Sequence, residues 1–299
     1  MRRKKEIAGC GNKITIGELK EKKVGVVFSS GFFGFFAHAG CFKALQDLGI
    51  KPVGYSGSSS GAILAAYAAT GMDAQAITEL LFTLKKEDFW DPEPWYKTGV
   101  AALTFLKGWL GYLKGEKFSN LLVRTLPVQS FEELRTPCVI VGCNLSKFQK
   151  EVFTSGSIAE AVYASGTIPW IFKIKYIKED LFLDGGLVDK VPLEALSEKV
   201  DADVILVHYI ASLGLKEKSN AFLSKVFSPQ KAYSLSMDIV RQEHYQSQKK
   251  LVEQRGIRVI ELKPSVPPVG PNRLGVGKAA FDAAYQYTMN VLECGVDKN

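Results

Sequence analysis

The stretch from Gly57 to Ile63 constrains this chain more than any other part of it. It contains the pattern G-x-S-x-G, with Ser59 at the centre and Gly57 and Gly61 on either side. In a nucleophile elbow, a strand turns sharply into a helix and pushes the serine hydroxyl out to where a substrate carbonyl can reach it. A side chain at either glycine would collide across the turn, while the serine is held in a strained backbone conformation. The pattern therefore predicts that Ser59 is a nucleophile.

The residues around the motif favour an elbow over a chance glycine–serine turn. Ile50–Ser56 is typical of a short strand, and Ala62–Ala69 is strongly helical. Strand, turn and helix in this order are the context that the motif requires. The neighbouring Ser56, Ser58 and Ser60 lack glycines at the needed spacing and are interpreted as structural. A serine in this setting indicates an acyl-transferring enzyme, most simply an esterase or a lipase.

Composition and charge are those of a globular protein. The chain has 299 residues, of which 46% are hydrophobic and 23% are charged, enough for a sizeable core. The net charge of +7 comes in part from the basic start Met1–Lys5. It indicates either solubility or weak attraction to an anionic membrane surface. Nucleic-acid binding is disfavoured because no basic stripe alternates with aromatic residues.

The cysteines and the apolar runs bear on the cellular compartment. The chain has 5 cysteines and no C-x-x-C pair, which predicts neither a disulfide framework nor a zinc site and fits a reducing compartment. The basic start is not followed by the apolar core of a secretory signal, and no run is long enough for a transmembrane helix. We therefore expect a cytoplasmic protein that touches membranes only at their surface.

Apolar runs alternating with helical patterns predict an α/β fold. Val24–Phe28 is continuously apolar, the mark of a strand buried on both faces of a parallel sheet. Similar strands are expected at Cys138–Gly142, Val204–Val207 and Arg258–Leu262, with helical patterns such as Leu193–Lys199 between them. The predicted fold class is α/β, with three layers and a mainly parallel central sheet flanked by helices.

Two regions interrupt this alternation. The composition of residues 82–126 predicts an inserted helical cap. Its aromatic residues are interpreted either as part of the hydrophobic core or as a lipid-facing lid. These aromatic residues are Phe89, Trp90, Trp95, Tyr96, Phe105, Trp109, Tyr112 and Phe118. Residues 215–250 predict a polar amphipathic helical cover. We expect an N-terminal extension over residues 1–22 and a single domain over residues 23–299.

Asp184 is the second candidate for chemistry. It follows the apolar stretch Leu181–Leu183 and precedes Gly185 and Gly186, which let the backbone turn and another segment approach. Active-site residues of open parallel sheets gather at the carboxyl ends of strands. An Asp-Gly turn between strands is a common alternative for this pattern.

Four segments of the chain resemble, in order and spacing, the motifs of the patatin-like phospholipases. They are Phe28–Leu45, Gly54–Ile63, Ala161–Pro169 and Leu183–Pro192. The resemblance spans about residues 23–210, and four ordered motifs are far more specific than any one of them. It implies a patatin-like fold and a serine–aspartate dyad, with Ser59 as the nucleophile and Asp184 as the base.

The resemblance also implies an oxyanion hole, built from backbone N–H groups of the glycine-rich loop after the first long strand. Preorganised amide donors stabilise the charge that develops on a tetrahedral intermediate. The corresponding loop here is Gly31, Phe32, Phe33 and Gly34.

This loop departs from the family pattern of three glycines, one residue, a basic residue and a glycine. Serines occupy the first two positions, Phe33 stands at the basic position, and one extra residue separates Gly34 from His38. Backbone donors do not depend on the side chain, so we expect the hole to persist with altered geometry. The aromatic residues of the loop and the following helix fit an acyl-chain groove and a helix core equally well.

Three alternatives remain at this point. His208 follows Asp184 in the order of a Ser-Asp-His triad, although it also fits a simple strand-end histidine. The altered loop is compatible with a catalytically silent lipid-binding protein. Acyl transfer to an acceptor other than water shares the same acyl-enzyme chemistry.

The expected function is that of a lipid acyl hydrolase which cleaves a fatty-acyl ester through an acyl-enzyme. The partner would be a lipid or acyl-ester substrate, with peripheral membrane contact and no nucleic acid. No metal or other cofactor is expected, because no His or carboxylate cluster shows ligand spacing. The sequence does not indicate an oligomeric state.

Overall fold

A computed structural model of the chain describes residues 13–94, 96, 111–174, 176–211 and 229–297. Its β-strands lie at Lys13–Ile14 (β1), Val24–Phe28 (β2), Gly54–Ser58 (β3), Cys138–Asn144 (β4), Gln149–Phe153 (β5), Tyr176–Ile177 (β6), Asp180–Leu183 (β7), Val204–His208 (β8), Arg258–Leu262 (β9) and Val296–Asp297 (β10). Its α-helices lie at Ile16–Lys20 (α1), Phe35–Asp47 (α2), Ser60–Ala69 (α3), Ala74–Thr83 (α4), Glu116–Thr125 (α5), Ile158–Ser165 (α6), Leu193–Lys199 (α7), Pro229–Gln254 (α8) and Gly277–Glu293 (α9).

The main sheet is mixed but mostly parallel. Its strand order is β6-β7-β4-β3-β2-β8-β9, and β5 pairs with β4 outside this path. Strands β4, β3, β2, β8 and β9 run parallel, whereas β5 and β7 are antiparallel to β4. The predicted α/β fold with a mainly parallel sheet is therefore confirmed.

Alternate residues of the central strands face two separate hydrophobic cores. In β2, Val26 and Phe28 belong to the core shared with helices α2 and α3, whereas Val27 belongs to the core shared with α7 and α8. Strand β8 divides in the same way, with Leu206 in the first core and Ile205 in the second. Because both faces are covered, nearly every position of these two strands is apolar, and the three-layer arrangement follows.

Strand β3 differs from its prediction at both ends. The predicted strand was Ile50–Ser56, whereas β3 is Gly54–Ser58 and runs up to the residue before Ser59. Its last residues pair with parallel neighbours on both sides, Gly57 with Phe28 and Ser58 with Val141. Serine and glycine do not predict a strand from sequence. Here their backbone N–H and C=O groups are hydrogen-bonded to the strands on both sides.

The predicted insertion at residues 82–126 is described in part. It contains a short 3₁₀ turn at Lys86–Asp88 and helix α5, whose Phe118 is buried, as is Phe89 before it. Trp95, Phe105 and Trp109 lie outside the described residues, as do residues 215–228 of the predicted polar cover. Within the ranges given above, no helix is both long and apolar enough to cross a bilayer.

Candidate active site

Ser59 lies at the sharp turn between β3 and α3. Its backbone has φ 54° and ψ −120°, a conformation that costs free energy for any residue with a side chain. A Cβ atom at Gly57 would lie 2.2 Å from the carbonyl oxygen of Gly61, and one at Gly61 would lie 2.1 Å from that of Phe28. Only glycine fits at these positions, so the turn depends on both.

The structure brings Ser59 and Asp184 together. The Ser59 hydroxyl donates a hydrogen bond of 2.6 Å to Oδ2 of Asp184, and both residues are buried. Oδ1 of Asp184 accepts the backbone N–H of Gly186 at 2.7 Å, which fixes the plane of the carboxylate. A Cβ atom at Gly185 would lie 1.9 Å from the carbonyl oxygen of Val141, so glycine is required for this close approach to β4.

Burial controls the acidity of Asp184. It raises the pKa of the carboxyl group to about 6, against the opposing effects of the hydrogen bonds from Ser59 and Gly186 and the positive charge of Arg241. A carboxylate with this pKa is largely ionised at neutral pH and is a stronger base than an exposed aspartate. The arrangement can therefore accept a proton from the serine hydroxyl.

The glycine-rich loop offers fewer free donors than the sequence predicts. The N–H of Gly31 donates to Oγ of Ser60 at 3.1 Å, and the N–H of Gly34 donates to the carbonyl oxygen of Gly31 at 2.6 Å. Ser60 also returns a hydrogen bond from its hydroxyl to the Gly31 carbonyl oxygen. Among the described residues, the N–H groups of Phe32 and Phe33 have no acceptor. Gly31 and Gly34 thus use their N–H groups to hold the loop's own shape, and an oxyanion hole in this loop stays a prediction.

Two hydroxyl groups near Ser59 hold the site in place. The backbone N–H of Ser59 donates to Oγ of Ser165 at 2.8 Å, and Ser165 is fully buried at the end of α6. Ser60 ties the elbow to the glycine-rich loop, as described above, so its interpretation as structural agrees with its contacts. The role of Ser165 was missed, because nothing in its segment distinguishes this hydroxyl from an ordinary helix-end serine.

The two histidines near the sheet pair with each other. The Nδ1 atoms of His38 and His208 lie 2.6 Å apart, and Nε2 of His38 lies 2.9 Å from the carbonyl oxygen of Ser29. A carbonyl only accepts, so His38 carries its proton on Nε2 and accepts at Nδ1 from the Nδ1–H of His208. This leaves Nε2 of His208 as a bare nitrogen, which is buried and has no hydrogen-bond partner within the described residues.

This pair does not form part of a triad with Ser59. Burial lowers the pKa of His38 to about 3, and burial together with the charge of His38 lowers the pKa of His208 well below its ordinary value. Within the described ranges, no hydrogen bond joins His208 to Ser59 or to Asp184. The Ser-Asp-His alternative therefore finds no geometric support.

Ser59 lines two adjoining cavities of different character. The first has a volume of about 170 Å³ and is almost entirely apolar; its walls include Phe33, Ile63, Leu81, Phe89, Trp90, Phe118, Leu121 and Phe172. The second has a volume of about 360 Å³ and contains polar and charged groups; its walls include Ser30, Asp184, Lys190, Ser234, Asp238 and Arg241. Phe32 and Phe33 line both cavities. The serine hydroxyl thus lies where an apolar compartment meets a polar one.

In the part of the chain that the structure describes, the His, Cys, Asp and Glu side chains do not cluster as metal ligands would. There, no group of three or more His, Cys, Asp or Glu residues is placed to hold a metal ion. The cysteines in that part are all free thiols: Cys41, Cys138, Cys143 and Cys294. Both oxygens of Asp184 are engaged by hydrogen-bond donors.

Comparison with known proteins relates the chain to proteins that carry the name NTE. It is 29% identical over 220 residues to an uncharacterised NTE family protein of Mycobacterium tuberculosis, covering 73% of this chain and 33% of that protein. It is 24% identical over 194 residues to the lysophospholipase NTE1 of Pyricularia oryzae, covering 64% of this chain and 12% of that protein. The chain therefore spans about a third or less of the length of these relatives.

Solved structures with a similar chain path include two bacterial proteins. VipD from Legionella pneumophila matches with a TM-score of 0.47 and 16% identity, over 90% of this chain and 67% of that chain. ExoU from Pseudomonas aeruginosa, in its complex with SpcU, matches with a TM-score of 0.37 and 14% identity, over 90% and 52% of the two chains.

A family model covers the elements that build the site. The model of the patatin-like phospholipases matches residues 26–197, a range that includes the end of β2, all of β3 and α3, and the segment around Asp184. The match extends over more than half of the 299 residues. This chain belongs to the patatin-like phospholipase family.

Proposed function

We propose that this protein is a serine lipid acyl hydrolase, of the phospholipase A or carboxylesterase type, that uses Ser59 and Asp184 as a catalytic dyad. The observation that carries the proposal is the 2.6 Å hydrogen bond from the Ser59 hydroxyl to Asp184, located where the apolar and polar cavities meet. A serine is a weak nucleophile until a base takes its proton, and this carboxylate is placed to do so.

The reaction would proceed in two halves. Asp184 accepts the proton of Ser59 while the serine Oγ attacks the carbonyl carbon of a fatty-acyl ester, forming a tetrahedral intermediate. When the intermediate collapses, the ester bond breaks and the leaving alcohol takes the proton from Asp184. A water molecule then gives its proton to Asp184 and attacks the acyl-enzyme, and the proton returns to Ser59 as the fatty acid leaves.

The oxyanion would be stabilised by the N–H groups of Phe32 and Phe33. Both residues line the cavities beside Ser59, and their amides are not used elsewhere among the described residues. Phe33 has φ 51°, a left-handed conformation unusual for phenylalanine, which orients its peptide plane differently from a regular helix start. One such donor is worth a factor of roughly 10²–10³ in rate.

The acyl chain would occupy the apolar cavity. A hydrocarbon chain transferred there from water gains roughly 0.8 kcal/mol for each buried CH₂ group. The aromatic residues of the loop and of the partly described insertion contribute to this cavity, including Phe33, Phe89 and Phe118. An acyl-chain groove and a helix core were equally compatible with the loop aromatics; Phe32 and Phe33 line the cavity, whereas Phe36 is buried in the core.

A fluorophosphonate probe tests the proposal directly, because it reacts only with an activated serine. We expect the purified protein to be labelled, and Ser59→Ala to abolish the labelling. Ser58→Ala is the matched control, since Oγ of Ser58 is buried and has no hydrogen-bond partner within the described residues. Absence of labelling in well-folded protein would contradict the proposal and favour a silent lipid-binding protein.

A further inference from the structure

We propose that His38 is a positioning residue, which holds both ends of the β2–α2 connection and so orients the N–H groups of Phe32 and Phe33 towards the oxyanion. The β2–α2 connection comprises residues 29–34 and contains the glycine-rich loop. The inference rests on the proposed function, in which these two amides stabilise the tetrahedral intermediate at Ser59. It assigns a role to a buried histidine that the dyad of Ser59 and Asp184 does not use.

His38 contacts the connection at its start and at its end. Nε2 of the His38 ring lies 2.9 Å from the carbonyl oxygen of Ser29. The backbone N–H of His38 donates to the carbonyl oxygen of Gly34, also at 2.9 Å. A single residue of helix α2 therefore binds both ends of the turn that carries Phe32 and Phe33.

The His38 ring acts as a single fixed donor. Burial lowers the pKa of this ring to about 3, against the opposing effect of the hydrogen bond with Ser29, so the ring is neutral at neutral pH and bears one proton. A carbonyl oxygen only accepts, so the proton lies on Nε2, towards Ser29. His208 lies 2.6 Å from the other nitrogen and donates to it, which agrees with the tautomer that the Ser29 carbonyl selects by itself.

The peptide unit that His38 contacts is also held on its opposite edge. The N–H of Ser30, in the same peptide unit as the Ser29 carbonyl, donates to the carbonyl oxygen of Lys190 at 2.8 Å. Oγ of Ser29 accepts the backbone N–H of Ile210 at 2.8 Å, and Ser29 is fully buried. A buried carbonyl without a donor is unfavourable, so loss of the His38 ring would favour rotation of this peptide unit.

Such a rotation would reach the two amides of the predicted oxyanion hole. Phe33 has φ 51°, a strained conformation that persists only when the surrounding contacts impose it. Ser60 holds Gly31 from the side of the elbow, whereas His38 holds the connection from helix α2. A misplacement of about 1 Å at a catalytic contact can reduce the rate by about 10²-fold.

The test compares kcat and KM on a soluble ester, p-nitrophenyl butyrate, in His38→Met and His38→Gln. Methionine and glutamine have the same length, but only glutamine has an N–H group to offer Ser29. We expect His38→Met to lose roughly 10–10²-fold in kcat with little change in KM, because the lost interaction acts in the transition state. His38→Gln should recover most of this loss, and equal kcat values in the two variants would overturn the inference.

A matched control separates positioning from stability. Phe42 lies one turn after His38 on helix α2, is buried, and packs against Tyr55 with ring centroids 6.0 Å apart. We expect Phe42→Leu to lower the urea midpoint and leave kcat unchanged. A loss of kcat as large as that of His38→Met would contradict positioning by His38. Should His38→Met not fold, His38→Asn provides the same comparison, because its shorter amide does not reach Ser29.

Failure of the proposed function would look different, since the wild type would then neither hydrolyse the ester nor react with the fluorophosphonate probe. Hydrogen–deuterium exchange of residues 29–34 tests the positioning alone. We expect the hydrogen-bonded amides of Ser30 and Gly34 to exchange faster in His38→Met than in the wild type and in His38→Gln. Equal exchange in all three proteins would overturn the inference.

Discussion

The Ser59 hydroxyl donates a 2.6 Å hydrogen bond to Asp184 although 125 positions separate the two residues in the sequence. Strand β4 brings them together, because it pairs in parallel with β3, which ends next to Ser59, and antiparallel with β7, which ends next to Asp184. The two residues thus lie at the ends of the two strands that flank β4 in the sheet. Their contact is a consequence of the sheet topology, and the turns after β3 and β7 orient the two side chains towards each other.

Replacement of Asp184 by Asn should abolish most esterase activity. The amide cannot accept the serine proton as a base, and loss of general-base catalysis reduces kcat by roughly 10²–10⁴-fold. Asp180→Asn is the matched control, because Asp180 begins the same strand and contacts Lys147 at the surface. Kinetics on a soluble acyl ester, with circular dichroism to verify folding, measure the effect. An Asp184→Asn variant with wild-type kcat would refute the dyad.

Activity should rise with pH through the ionisation of Asp184. Only the carboxylate can take the proton, and its pKa is raised to about 6, so kcat/KM should be low below this pH and level off above it. The positive charge of Arg241 lowers this pKa, and Arg241→Gln should therefore move the rising limb to higher pH. A pH series of initial rates on a neutral ester tests both statements. A flat profile between pH 4 and 8 would count against Asp184 as the base.

The sequence was sufficient for the central sheet because its strands are covered on both faces. The bounds predicted for β2 and β9 agree with the structure, since a continuous apolar run has few other ways to be buried. Strand β3 was shifted because its last residues are serine and glycine, whose place in the sheet comes from the neighbouring strands. The sequence pattern thus identified the strands whose residues form a continuous apolar run.

Only those site residues that belong to sequence motifs could be predicted. Ser59 and Asp184 lie in recognisable patterns, and the structure brings their side chains into contact. The occupation of the Gly31 and Gly34 amides depends on Ser60 and on the loop's own turn, which no pattern encodes. Arg241 is separated from the motifs along the chain and reaches the cavity only through the packing of α8.

Replacement of Gly61 by Ala should unfold or strongly destabilise the protein. Its added Cβ would lie 2.1 Å from the backbone oxygen of Phe28, an atom that cannot move without disrupting β2. Overpacking of this kind costs typically about 1–3 kcal/mol or more. Gly275→Ala is the control, since a Cβ there meets nothing within 4 Å. Urea unfolding curves of the two variants should differ clearly; equal midpoints would disprove the tight elbow.

Replacement of His208 by Gln should leave catalysis nearly intact and change the pH dependence of stability. Because the pKa values of both paired histidines are lowered on folding, the unfolded chain binds more protons below pH 6.5, and stability falls as pH decreases from there towards about 3. Removing one histidine should reduce this slope by about 1.4 kcal/mol per pH unit. Asp184 acts in the opposite direction, but it is common to both proteins. Unfolding at pH 7 and pH 5, with esterase assays alongside, measures both effects; a large loss of activity would revive the triad.

Replacement of Leu121 by Trp should shorten the preferred acyl chain. Leu121 lines the apolar cavity from helix α5, and a larger side chain there would fill part of its volume of about 170 Å³. Each CH₂ group that no longer fits loses about 0.8 kcal/mol of favourable transfer free energy. The kcat/KM for long-chain esters should therefore drop, whereas that for short-chain esters should change little. Val123→Trp is the matched control, because Val123 lies on the same helix with 52% of its surface exposed. A series of p-nitrophenyl esters from C4 to C16 gives the measurement, and an unchanged chain-length optimum in Leu121→Trp would place the acyl chain elsewhere.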